Sequence, residues 1–92
     1  MTTAIFIINR IDNVGVALRD LQEGEKIIVC EMEQPLIVAE QIPVSHKIAL
    51  KDIQRGENII KYGETVGVSD RIIPRGAWVH THNLESGKWK AS

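Results

Sequence analysis

Leu18-Arg19-Asp20-Leu21-Gln22-Glu23-Gly24-Glu25-Lys26-Ile27-Ile28 and Leu50-Lys51-Asp52-Ile53-Gln54-Arg55-Gly56-Glu57-Asn58-Ile59-Ile60 are two copies of one pattern. Leu, Asp, Gln, Gly, Glu and both Ile recur at matching places, and Ile73-Pro74-Arg75-Gly76-Ala77-Trp78-Val79 is a fainter third copy. Each part of the unit has a physical meaning. The Asp side chain can accept backbone N–H bonds and close a tight turn. The aliphatic residue after it drops into a core, the Gly supplies the positive φ that reverses the chain, and Glu-x-Ile-Ile opens a new strand. Two such units in 92 residues predict a compact, pseudo-symmetric, mainly β fold; a solenoid needs more copies.

Outward from the repeat, the apolar run Ala4 to Ile8 reads as a strand buried on both faces. Asn9 to Asn13 interrupts it, and Val14 to Leu18 returns as its hairpin partner. Lys26 to Met32 and Pro35 to Ala39 read as two more strands, with Pro35 at an edge or a strand start. Ile48 to Ile53 is short enough for one helical turn before Gly56, and no segment sustains a helical period. Residues 1–92 form a single domain, with 86–92 as a polar C-terminal tail.

Composition narrows the function. Eleven basic and twelve acidic residues leave a formal net charge of -1, with no basic excess to neutralise a phosphate backbone. That argues against nucleic acid as a partner. No charged leader or spanning segment is expected, because the longest apolar runs are far too short, so neither a membrane nor export is implied. Cys30 is the single cysteine; it cannot form an intramolecular disulfide and reads as a small buried residue. A cytoplasmic location follows.

The residues able to do chemistry fall in short motifs. His80 and His82 alternate across one Thr, so in a strand their side chains share a face, with Cα atoms about 6.6 Å apart. That spacing suits convergence on one divalent metal or anion, completed by a carboxylate such as Glu85 or Asp12. Two surface histidines on a terminal strand are the alternative. His46-Lys47 offers a base and a cation, or else a loop hydrogen bond and a solvated charge. Asp12-Asn13 can cap the turn before Val14. Lys61-Tyr62-Gly63 reads as the start of a turn, with Lys61 an exposed strand-end charge. A chain this short cannot easily enclose a large pocket of its own.

Together, Asp12-Asn13-Val14, His46-Lys47-Ile48-Ala49-Leu50, Lys61-Tyr62-Gly63 and His80-Thr81-His82-Asn83, ordered around the Gly turns, resemble the N-terminal module of the altronate and galactarate dehydratase family. The pattern is also similar to the small subunit of sulfolactate sulfo-lyase. Ser45 departs from it, standing where Gly is expected. The resemblance implies a SAF-type β-clip fold and a lyase context in which a much larger catalytic region follows this module. Since the chain stops just after Trp89, that region is expected on a separate large catalytic subunit, with a small sugar acid as substrate; self-association is left open. On this reading His46 and Lys47 are catalytic, Asp12, Asn13 and Asn83 contact substrate, and His80 and His82 hold a divalent metal, iron or manganese, shared with the large subunit. C–S cleavage of sulfolactate and carbohydrate or acid binding without catalysis are the alternatives.

Overall fold

The Gly turns do organise the chain, and they are more numerous than the sequence suggests. The computed structural model describes residues 4–29 and 32–79 together with the backbone of 84–85. Among the described residues nine short strands run in chain order: β1 (Ile5–Phe6), β2 (Val14–Ala17), β3 (Lys26–Ile27), β4 (Leu36–Ile37), β5 (Lys47–Ala49), β6 (Asn58–Lys61), β7 (Glu64–Ser69), β8 (Trp78–Val79) and β9 (Leu84–Glu85). They form a four-stranded sheet ordered β1-β2-β5-β8, a β3-β4 pair and a three-stranded sheet β6-β7-β9. Every pairing is antiparallel. The fold is therefore mainly β, as the repeated turn-and-strand units predict. No helix long and apolar enough to cross a membrane occurs among the described residues.

Four turns share one construction. Glu25, His46, Glu57 and Ala77 each donate their N–H to the carbonyl three residues earlier, on Gln22, Pro43, Gln54 and Pro74. The third position of each turn carries a positive φ: Gly24 (84°), Ser45 (74°), Gly56 (84°) and Gly76 (90°). Ile42-Pro43-Val44-Ser45 is thus the partner of Ile73-Pro74-Arg75-Gly76, a relation hidden by the serine. Isolated bridges Leu21–Ile42 and Ile53–Ile73 occupy equivalent places in the two halves. The Gly expected at position 45 is explained by this left-handed backbone, which a Cβ disfavours.

The repeated Asp plays another part than the one its sequence suggests. Asp20 Oδ1 accepts from Val44 N at 2.9 Å and Asp52 Oδ1 from Arg75 N at 2.8 Å, so each carboxylate ties two different turns together. The local turn is closed by the following Glu instead: Glu25 accepts from Gln22 N, and Glu57 from Gln54 N.

The four-stranded sheet lies between two apolar clusters. Ile5, Ala17, Leu21, Leu36, Ile42 and Ile48 belong to one, and Val14, Ala49, Ile53, Ile59, Ile73 and Val79 to the other. Three expectations fail here. Ile48 to Ile53 is not a helical turn: β5 is extended because its residues alternate between the two clusters. The strands read at Lys26 to Met32 and Pro35 to Ala39 shrink to two paired residues each. Finally β1 is an edge strand, not a doubly buried one, with Phe6 43% and Ile8 55% exposed. Cys30 and residues 86–92 lie outside the described residues.

A graded series tests the turn geometry by urea unfolding. Gly24→Ala and Gly56→Ala, where an added Cβ meets nothing within 4 Å, should each cost about 1–2 kcal/mol of left-handed strain. Gly76→Ala should cost distinctly more, because its Cβ would press into the Ile37 carbonyl oxygen. Ser45→Gly should stabilise the chain by about 1 kcal/mol.

Candidate functional site

Asp12 and Asn13 hold the frame on which the other motifs stand. Asn13 is 1% exposed. Its Oδ1 accepts from Ile60 N at 2.7 Å and its Nδ2 donates to Asn58 O at 2.8 Å, pinning β6 beside the start of β2. Asp12, 9% exposed, accepts from Gly63 N at 2.7 Å and from Asn9 N at 3.1 Å. The structure thus gives both residues a part in the frame: Asn13, buried, has spent its amide on main chain, while Asp12 also lines an open groove. Each Asp12 oxygen answers one backbone donor.

Gly63, held by Asp12, belongs to the Lys61-Tyr62-Gly63 motif. Lys61 pairs with Glu64 across a two-residue hairpin loop. Tyr62 (φ 56°) and Gly63 (φ 79°) both take the positive φ that such a tight hairpin demands. A Cβ at Gly63 would meet Asn9 Nδ2 at 2.7 Å, so the loop packs closely on the β1–β2 connection. The Lys61 ammonium sits 4.8 Å from the centre of the Tyr62 ring.

His46 and Lys47 are neighbours in sequence but face apart. His46 precedes β5 and meets Trp78 edge-on, with ring centroids 5.3 Å apart. Trp78 Nε1 donates to His46 Nδ1 at 3.2 Å, and Trp78 N donates to Glu40 Oε2 at 3.2 Å. An indole nitrogen can only donate. Nδ1 of His46 must therefore be unprotonated, and in the neutral ring the proton sits on Nε2. His46 presents an N–H donor outward, suited to hold an oxygen of a ligand rather than to remove a proton there.

Lys47 lies on the opposite face, in a cross-strand row formed by Phe6, Val16, Lys47 and Val79. Burial among these apolar neighbours pulls its ammonium below the ordinary 10.5, and the charge of Lys61 lowers it further. Asp12 and Asn13 stand several residues up the same sheet from Lys47. An open groove of about 730 Å³ lies at their end, lined by Ile8, Arg10, Asp12, Met32, Leu50 and Lys51 among others. The four described residues assigned to a site from sequence, Asp12, Asn13, His46 and Lys47, therefore do not converge on one point.

His80, His82 and Asn83 lie outside the described residues; Val79, the residue before them, stands opposite Lys47. Among the described residues no three His, Cys, Asp or Glu side chains group as metal ligands. Trp78 and Glu40 were missed by sequence reasoning. A Trp two residues before a His motif was the available sign for the first; Glu40 gave none, because its partner is distant in sequence.

The comparisons agree with this architecture. Residues 3–87 match the family described as altronate/galactarate dehydratase SAF domain, and the chain belongs to that family. Altronate dehydratase of Escherichia coli is 42% identical over 79 residues, covering 86% of this chain and 16% of that protein. Galactarate dehydratase (L-threo-forming) of the same organism is 39% identical over 80 residues, or 84% of this chain and 14% of that protein. The chain thus spans about a sixth of the dehydratases it matches. The (2R)-sulfolactate sulfo-lyase subunit alpha of Chromohalobacter salexigens is 31% identical over 83 residues, covering 85% of this chain and 88% of that subunit. The relatives are lyases in each case.

Two measurements check the geometry. Nitrogen-15 NMR should find neutral His46 as the Nε2–H tautomer, and Trp78→Phe should convert it to a mixture. Lys47 supplies a pH test. Because its folded pKa lies below its unfolded one, the unfolded chain binds more protons between the two values, and stability rises with pH. The penalty of burying the charge is complete below the folded pKa and is relieved as pH climbs towards 10.5. Lys47→Met should raise stability at neutral pH and flatten that rise in urea titrations run between pH 7 and 11.

Proposed function

We propose that this chain is the small subunit of a sugar-acid dehydratase of the altronate/galactarate type, a hydro-lyase whose site is completed by a separate large subunit. One observation carries the reading: a relative named as a subunit alpha is matched over 88% of its length. A domain of this kind can therefore work as a chain of its own. The 42% identity to altronate dehydratase extends over 79 residues, whereas the same identity to a sulfo-lyase subunit alpha extends over 48, and this longer match favours a sugar acid as substrate.

Dehydration of a hydroxy acid breaks a C–H bond α to the carboxylate and a C–O bond at the β-carbon. A base takes the proton, the electron pair forms the new double bond, and the hydroxide leaves as water after receiving a proton. Charge builds on the carboxylate as the C–H bond breaks, so cations and fixed donors aimed at it lower the barrier. In this chain Lys47 supplies a cation, and the outward Nε2–H of His46 supplies a donor to a substrate oxygen. Asn83 would hydrogen-bond a hydroxyl. His80 and His82 would hold a divalent metal, iron or manganese, together with the large subunit; such an ion would act as a Lewis acid on the carboxylate. The base and the enclosed, water-poor pocket are assigned to the large subunit, since His46 is oriented as a donor.

The close length match to the sulfo-lyase subunit supports a second reading, in which the bond broken is C–S and the substrate is sulfolactate. Affinity purification from the native cell tests both. A much larger chain should come down stoichiometrically, and the complex should turn over altronate or galactarate in preference to sulfolactate. Turnover of sulfolactate alone selects the second reading. Recovery of this chain without a large partner defeats the subunit assignment and favours a stand-alone binding module. In the complex, the double change His80→Ala, His82→Ala should lower activity at least about a hundredfold and release metal detectable by mass spectrometry.

A further inference from the structure

Glu40 spends its carboxylate on main chain. It is half-buried and makes no ion pair among the described residues. Its Oε2 instead accepts from the main-chain N of Trp78 at 3.2 Å. The sheet explains where that N–H points. Strand β8 stands last in the order β1-β2-β5-β8, with β5 on one side. Bonded and non-bonded positions alternate along an antiparallel pair. Ala49 N donates to Ala77 O, so Trp78, one residue on, turns its N–H away from β5. Residues 38–40, which continue β4, run along that outer side. Ala39 N donates to Gly76 O at 2.9 Å, and the next donor of β8 is met by the Glu40 side chain instead of main chain. The seat is tight, since a Cβ at Gly76 would lie 3.2 Å from Ala39 N.

Trp78 passes this constraint to His46. Its indole Nε1 donates to His46 Nδ1 at 3.2 Å, and the two rings meet edge to face. The His46 main chain is held as well: its N donates to Pro43 O at 3.1 Å, and its O accepts from Ala17 N at 2.8 Å. Among the described residues Nε2 is thus the one polar atom of His46 left for a ligand. An exposed imidazole ordinarily keeps its rotamer freedom, and ordering it costs free energy. Here the ring is ordered directly after Ser45, whose φ of 74° is itself unfavourable for a residue with a Cβ. Strain of this kind concentrates where a protein needs a set geometry.

We infer that Glu40 and Trp78 are positioning residues of the candidate site. Glu40 fixes the main chain of Trp78, Trp78 fixes the imidazole, and His46 thereby aims one Nε2–H at an acceptor oxygen of the ligand. Both act through His46. A donor held in place beforehand needs no reorganisation when charge develops on that oxygen, and the brace secures this. The inference rests on the lyase-subunit reading for what His46 meets; the brace itself belongs to this chain.

Nitrogen-15 NMR of the full chain reads the brace through the His46 tautomer. Glu40→Ala should turn the single Nε2–H form into a mixture and speed exchange of the Trp78 indole proton at least about tenfold. Glu40→Met, which keeps the length but not the acceptor, supplies the same reading where Glu40→Ala unfolds the chain. Glu40→Gln retains an acceptor oxygen and should restore the parent spectrum, and Glu23→Ala, which removes an exposed acid, should change nothing. Adding Glu40→Met to Trp78→Phe should move the tautomer ratio no further than Trp78→Phe alone. In the complex with the large subunit, Glu40→Met should lower kcat/KM for the acid substrate at least about tenfold, with Glu40→Gln keeping most of it. The inference is overturned if Glu40→Met keeps one tautomer, or if Glu40→Gln is disturbed as much. It is also overturned if the double variant goes beyond Trp78→Phe, or if the tautomer changes while kcat/KM does not. The spectra need no large subunit, so the brace and the subunit reading can fail separately.

Discussion

One buried amide holds this molecule in register. Asn13 closes two hydrogen bonds with the main chain of β6, across 45 and 47 positions of sequence. The main chain adds a third bond there, from Asn13 N to Ile60 O. Strands of two to four residues cannot fix their own alignment by hydrogen bonding alone, and a slip of one residue turns every side chain to the wrong face. A side chain that reads both a donor and an acceptor of a distant strand removes that freedom. Leaving those buried groups unpaired would cost about 1–3 kcal/mol each, a large share of the reserve of so small a domain. Asp12 extends the same device to the hairpin tip, so the sheet and the hairpin are placed by adjacent residues.

The parts legible in the sequence are those whose causes are local. Gly24, Gly56 and Gly76 announced turns because a positive φ is a demand of the residue itself. The β1–β2 pairing followed from two apolar runs around an Asn-rich break. What escaped was non-local. Asp20 and Asp52 sit beside a turn and read as its caps, yet each reaches another turn more than twenty residues on. Ile48 to Leu50 reads equally as a strand or a helical turn, since only the clusters above and below decide the period. Ser45 concealed a fourth turn because the residue that best reports a left-handed backbone is absent from it.

The candidate site divides along the same line. Sequence order gathered His46 and Lys47 into one motif, but strand geometry sends neighbours to opposite faces. Trp78 then fixes which nitrogen of His46 carries the proton, a matter no motif can state. Lys61 looked like a solvated end of a strand. In the structure it rests on the Tyr62 ring and stands opposite Glu64 in the hairpin register. Membership of the altronate/galactarate dehydratase SAF-domain family gives these placements their chemical setting without assigning them their tasks.

The paired turns have a consequence for symmetry. Lys47 lies opposite Val79 and Ile48 opposite Trp78, while Ser45 and Gly76 hold equivalent places at the heads of these two strands. Strand β8 therefore meets β5 as β5 meets β2: the bonds from Ala17 N to His46 O and from Ser45 N to Ala17 O recur as Ala49 N to Ala77 O and Gly76 N to Ala49 O, a head-to-tail repetition. The chain is built like a dimer of half-length units joined end to end. Such a dimer would carry every feature twice. Here the backbone has kept the repeated plan while the side chains have abandoned it: a lysine on one strand matches a tryptophan on the other. Covalent fusion lets the two halves differ, so a scaffold with two equivalent sides can present two unlike ones.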